Sequence, residues 1–142
     1  MIPLVKDTIS KKEIDELVKW LQTYPHLTKG EVTLEYENAW SKFLGCKNSI
    51  FVNSGSSANL LMLYALIELG RLKAGDKVVV PALSWATDLA PVVQLGLQPV
   101  LCDCNLKDLS IDINHLEQII LTDKPKALIL VSVLGLVPEM EK

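Results

Sequence analysis

The segment Asn53-Ser54-Gly55-Ser56-Ser57-Ala58-Asn59 lies between a short apolar run and a long one. A glycine among serines at the start of a helix is suited to holding an anion. Gly55 admits backbone conformations that a Cβ excludes. The first amides of a helix have no intrahelical acceptor, and with the helix dipole they form a pocket fit for a phosphate. Serine hydroxyls add two more donors. The pattern is neither a Walker A loop nor Gly-x-Gly-x-x-Gly. Taken alone, it also fits an ordinary capped helix with a glycine turn. A second motif, Pro81-Ala82-Leu83-Ser84-Trp85-Ala86-Thr87-Asp88, follows the next strand and falls on the same sheet edge. Trp85 there is either a core aromatic or a flat face for a planar ring. Ser84 and Thr87 offer hydrogen bonds. The two loops together say more than either alone: one donates to a phosphate and the other presents an aromatic face.

The remaining candidates carry less. Asp103 at a strand exit reads as a turn former. Cys102 and Cys104 are too close for zinc and have no second pair, so they read as packing residues and no metal site is expected. His115 reads as a surface residue within a helix, and His26 as part of a solvated turn. Lys29 beside Gly30 either meets an anionic substrate or is simply solvated. Asp7, Glu13, Asp15 and Glu16 form a charged face.

The elements that position these residues follow from periodicity. Ser10-Lys11-Lys12-Glu13 is a capping box, and Ile14, Leu17, Val18 and Leu21 follow at helical spacing. Tyr24-Pro25-His26 ends that helix. A second helix is predicted over about Thr33–Leu44, with Tyr36, Ala39, Trp40 and Phe43 on one face and Gly45 as its stop. From residue 49 the pattern alternates. Ile50–Val52 is predicted as a strand and residues 57–69 as a buried helix, apolar nearly all round. Lys77–Val80 is the next strand. A helix is predicted over 84–94, with Pro91 either kinking it or confining it to two shorter pieces, and Pro99–Leu101 is a strand. Asp112 caps a helix to about Leu121. Ala127–Val133, the most apolar run, is predicted to be the central strand. This order implies an α/β fold, three-layer α/β/α with a mainly parallel sheet.

Composition narrows the function classes. Hydrophobic residues make up 49% and charged residues 22% of the 142, which excludes a disordered chain. A net charge of −3, with 14 thinly spread basic residues, argues against nucleic-acid binding. No apolar run reaches the roughly 20 residues of a membrane span. The N-terminus lacks the pattern of a secretory signal, and three cysteines suit a reduced compartment, so a cytoplasmic protein is expected.

These blocks resemble, in order and spacing, the N-terminal part of the DegT/DnrJ/EryC1/StrS sugar aminotransferases, pyridoxal-phosphate enzymes of the aspartate aminotransferase fold. The resemblance rests on Leu27-Thr28-Lys29-Gly30, Glu35-Tyr36-Glu37, Phe51 to Asn59, Ala74 to Val78, Pro81 to Thr87 and Gly96 to Asp103. The wording Ser57-Ala58-Asn59-Leu60-Leu61 and the Ser84-Trp85-Ala86-Thr87 loop resemble most the branch with the 4-keto-6-deoxyhexose 3-dehydrases and perosamine-type aminotransferases.

The resemblance implies that Gly55, Ser56 and Ser57 hold the phosphate of pyridoxal 5′-phosphate and that Trp85 stacks on its ring. It also implies that Thr28, Lys29 and Gly30 lie near a nucleotide-sugar site, close to a dimer interface. Residues 1–30 would be a helical arm and loop, and 31–142 an incomplete large domain. The aspartate facing the pyridine nitrogen and the Schiff-base lysine (a histidine in the dehydrases) fall after Lys142 in the family's order, so no catalytic residue is assigned. The chain is therefore expected to be part of an enzyme of polysaccharide sugar biosynthesis. That enzyme would move an amino group from a donor such as glutamate to a nucleotide-linked 4-keto-6-deoxy sugar, as a homodimer or with a complementary C-terminal polypeptide. Its alternatives are a 3-dehydrase of the same family or a truncated fragment acting only as a binding module. An unrelated dinucleotide-binding domain would need a glycine-rich turn, and Asn53–Asn59 has a single glycine.

Overall fold

The computed structural model describes residues 6–138 and Met140. The chain divides after Phe51 into two compact units. In the first, α1 spans Lys11–Leu21 and α2 spans Glu31–Leu44. The capping box of α1 forms as its sequence predicts: Ser10 Oγ accepts from Lys12 N–H, and Glu13 accepts from Ser10 N–H at 2.8 Å. Gly45 ends α2 with φ +69°, the left-handed conformation that glycine adopts without a Cβ penalty. Tyr36 stacks on Trp40 at 6.1 Å and meets the edge of Phe51 at 5.3 Å.

The second unit holds α3 (Gly55–Glu68), β1 (Lys77–Pro81), α4 (Ala86–Gln94), β2 (Gln98–Cys102), α5 (Ile113–Asp123) and β3 (Ala127–Leu128), then a 3-10 turn at Val133–Gly135. The strands are parallel in the order β2-β1-β3. Alternation along β1 sends Val78 and Val80 to one face and Val79 to the other. Val78 and Val80 join Leu63, Leu72, Val92 and Leu97 under α3 and α4. Val79 joins Cys102, Ile111 and Ile119 under α5. This is the expected three-layer arrangement.

Several expectations are corrected. The run 127–133 is not the central strand. Its ladder holds only Ala127–Leu128 at the sheet edge, continued by an Ile129 N–H that donates to Val79 O at 2.9 Å. Centrality is decided by pairing on both sides, and β1 is the strand with two partners. Ile50–Val52 forms no ladder among the described residues. The α3 helix forms, but only Leu63 is buried, whereas Leu61 and Met62 remain exposed. An all-round apolar helix is buried only where every face has a neighbour, and here α4 and the sheet cover one side. Pro91 does not split α4, which runs through it as a single helix. No helix of the described residues is long and apolar enough to cross a membrane.

Val79 is fully buried between sheet and α5. Val79→Ala is expected to cost about 2–3 kcal/mol, read as a lower urea midpoint at unchanged slope. Burial, with Asp112 and Asp103 nearby, pushes the Cys102 thiol up to about 11. At pH 8 only about a thousandth of it is thiolate. A disulfide reagent is expected to modify exposed Cys46 in the native chain and Cys102 only after denaturation, as mass spectrometry of the labelled peptides would show.

Candidate functional site

Ser54 caps α3. Its Oγ accepts from Ser57 N–H at 3.2 Å, and its carbonyl accepts from Ala58 N–H at 3.1 Å. Among the described residues no protein group accepts from the N–H of Gly55 or Ser56, so two amides face outward at the positive end of a helix apolar enough to stay intact. Ser57 is turned inward: its hydroxyl donates to Asn53 Oδ1 at 2.7 Å and accepts from Ser54 at 3.2 Å. Of the expected serine donors, Ser56 alone keeps its hydroxyl free among the described residues.

The reason for glycine at 55 also changes. Its φ is not positive, unlike that of Gly45, Gly70, Gly75, Gly96 and Gly135. A Cβ there would meet nothing within 4 Å. Neither a positive φ nor close packing against the described residues requires glycine at this position.

Trp85 is the N-cap of α4 and 72% exposed, so it is not a core aromatic. Its loop is tied to α3. Asn59 Nδ2 donates to Thr87 O at 3.2 Å and to Asp88 Oδ1 at 2.7 Å, while Ser84 Oγ donates to the other Asp88 oxygen. The helix starts that carry the open amides and the indole therefore sit side by side. Ser84, expected to offer a hydrogen bond, spends its hydroxyl on the joint, whereas Thr87 contributes its backbone carbonyl. Asn59 and Asp88 were not singled out by sequence reasoning. The available signal was Pro91, four residues after a carbonyl it cannot serve.

Asp103 is the expected turn former: its Oδ1 accepts from Cys104 N–H at 2.8 Å. His115 is half-buried rather than on the surface, because its Nδ1 accepts from Asp103 N–H at 3.1 Å. Cys104 is half-buried, and no cluster fit for a metal exists among the described residues.

Thr28, Lys29 and Gly30 belong to the first unit. Thr28 and Gly30 line a cleft of about 570 Å³ with Trp20, His26 and Glu31. Thr28 Oγ1 is hydrogen-bonded to exposed His26 Nε2. Lys29 is not merely solvated, since its Nζ donates to Glu37 Oε1 at 2.8 Å. The same oxygen accepts from Phe51 N–H at 2.8 Å. These two donors, Lys29 first, hold the Glu37 carboxyl below the usual carboxylate range. Ser41 adds a bond from its Oγ to Ser49 Oγ at 2.9 Å. The polar face of α2 thus anchors the segment leading to residue 51.

Residues 7–142 match the DegT/DnrJ/EryC1/StrS aminotransferase family. A GDP-4-keto-6-deoxy-D-mannose 3-dehydratase of Yersinia pseudotuberculosis is 38% identical over 135 residues, covering 94% of this chain and 34% of its own. A GDP-perosamine synthase of Caulobacter vibrioides is 29% identical over 140 residues, covering 99% and 36%. Among solved structures, E. coli GDP-4-keto-6-deoxy-D-mannose-3-dehydratase with bound hydrated PLP superposes with a TM-score of 0.82 at 38% identity, covering 92% of this chain and 33% of that one. The chain spans about a third of the length of these relatives.

Gly55→Ala is expected to change stability by less than about 1 kcal/mol while weakening inorganic phosphate binding, as denaturation and calorimetry would show. The depressed Glu37 carboxyl contributes stability that is present above its unfolded value and lost as pH falls through its folded value. Glu37→Gln should therefore destabilise the chain at pH 7, and its difference from the parent should fade as urea denaturation is repeated at pH well below 4.

Proposed function

The chain belongs to the DegT/DnrJ/EryC1/StrS aminotransferase family, and on that premise we propose that it supplies the phosphate-gripping and ring-covering part of a pyridoxal 5′-phosphate-dependent enzyme of nucleotide-sugar metabolism. The observation that carries this reading is the pair of open amides at Gly55 and Ser56, held beside an indole that the fold leaves exposed. The phosphate would take the Gly55 and Ser56 N–H groups and the Ser56 hydroxyl, and Ser57 would brace the turn. Trp85 would cover one face of the pyridine ring. Open space above Gly55 lets a phosphate reach the backbone.

When bound, pyridoxal 5′-phosphate supplies an electron sink for bonds broken next to a substrate nitrogen. The residues described above contribute orientation and anion binding to that chemistry, and no catalytic residue is assigned within 1–142. Residues 1–30 act as an arm and 31–142 as part of the large domain. Thr28, Lys29 and Gly30 contact the nucleotide sugar near a second subunit, and Lys29 must leave Glu37 or bind while paired to it.

The complete enzyme transfers an amino group to a 4-keto-6-deoxy sugar. Removal of the 3-hydroxyl is the second reading, favoured by 38% identity to the 3-dehydratase against 29% to the perosamine synthase. The full reading frame that contains this segment would decide between them, given a GDP-linked 4-keto-6-deoxy hexose, glutamate and the cofactor. Nitrogen found in the sugar product supports aminotransfer, and loss of the 3-hydroxyl supports dehydration. An enzyme that binds the cofactor and does neither overturns both.

For the chain itself, Trp85→Ala is expected to weaken pyridoxal phosphate binding by about 1–3 kcal/mol and to leave inorganic phosphate binding unchanged, measured by equilibrium dialysis. Equal affinity in parent and variant would remove Trp85 from the site.

A further inference from the structure

We propose that Asn59 is a positioning residue: its carboxamide supplies the hydrogen that Pro91 lacks, and so fixes the start of α4, with Trp85, against the start of α3, with its open amides. The inference rests on the reading of those two features as one ligand site.

In an α-helix the N–H of each residue bonds the carbonyl four residues earlier. Pro91 is the sixth residue of α4 and has no N–H, so the Thr87 carbonyl loses its helical donor. Asn59 Nδ2 lies 3.2 Å from that oxygen. Its second hydrogen goes to Asp88 Oδ1 at 2.7 Å. Both partners are acceptors only, so the carboxamide has a single workable orientation, because a flipped amide would set its oxygen against two others. Asp88 is 6% exposed and takes the Ser84 hydroxyl on its other oxygen, and its N–H donates to Trp85 O at 2.9 Å. Asn59 thus bonds Thr87 and Asp88 directly, and through Asp88 it reaches Ser84 on the other side of Trp85.

Asn59 stands four residues after Gly55, one turn down the same face. A ligand whose phosphate and ring are covalently joined gains from both contacts only if their spacing is held before it arrives. Asn59 sets that spacing without touching the ligand.

The test uses the 142-residue chain with Trp20→Phe and Trp40→Phe, which leaves Trp85 as the single tryptophan. Time-resolved anisotropy without ligand reports Trp85 mobility, and dialysis reports affinity for pyridoxal phosphate and for inorganic phosphate. Asn59→Ala is expected to raise the amplitude of fast Trp85 motion and to weaken pyridoxal phosphate about tenfold, with inorganic phosphate held within about twofold because the amides remain. Asn59→Asp, isosteric but unable to donate and facing Asp88, should do more. Pro91→Ala restores the missing N–H, so adding it to Asn59→Ala should recover part of the loss in both readouts.

Unchanged Trp85 mobility in the Asn59 variants, or strictly additive effects of the two sites, overturns the proposal. If Asn59→Ala does not fold, Asn59→Ser, which keeps one donor, is compared with and without Pro91→Ala, and absence of the same rescue overturns it equally. A parent chain that ignores pyridoxal phosphate while its anisotropy responds as stated would sink the functional reading and leave the positioning role. Binding that depends on Trp85 but not on Asn59 would do the reverse.

Discussion

Val78, Val79 and Val80 are sealed from water on both sides of the sheet, with α3 and α4 above and α5 below. A strand packed in this way has no free face, so only its ends are open to a ligand. At the carboxyl end of β1 the chain turns through Ala82, whose N–H is already committed to Cys102 O at 2.8 Å, and enters α4 at Trp85. The indole there is 72% exposed and takes no part in the core that seals the strand. Burial of the strand thus sets where an outward-facing aromatic stands.

Features set by neighbours in sequence were legible before the fold was known. Ser10 and Glu13 cap α1, Gly45 ends α2, and Asp112 accepts from Asn114 and His115 N–H to start α5. Each depends on groups within four residues. The prediction for 127–133 failed because hydrophobicity reports how much burial a segment is suited to, while place in the sheet depends on strands far away in sequence. The same limit explains α3, whose composition suits a helix covered on every side although its own unit covers one.

The candidate site was half visible for a related reason. Gly55, Ser56 and Trp85 were readable from residue type and from position after a strand. The pairs Lys29–Glu37 and Asn59–Asp88 span 8 and 29 residues, and no local rule links them. Gly55 was singled out for its freedom of φ, yet its φ is not positive and a Cβ there would meet nothing within 4 Å. Residue type and spacing identified the position but not its backbone conformation.

Pro91 also bears on how this chain can drift. While proline occupies 91, losing Asn59 strands the Thr87 carbonyl and half of the Asp88 shell. Once another residue there restores an N–H, asparagine at 59 is partly relieved of its duty. Substitution at the two positions is therefore ordered: a lineage that loses the ring first can later afford to lose the amide, while the opposite sequence passes through a loosened intermediate.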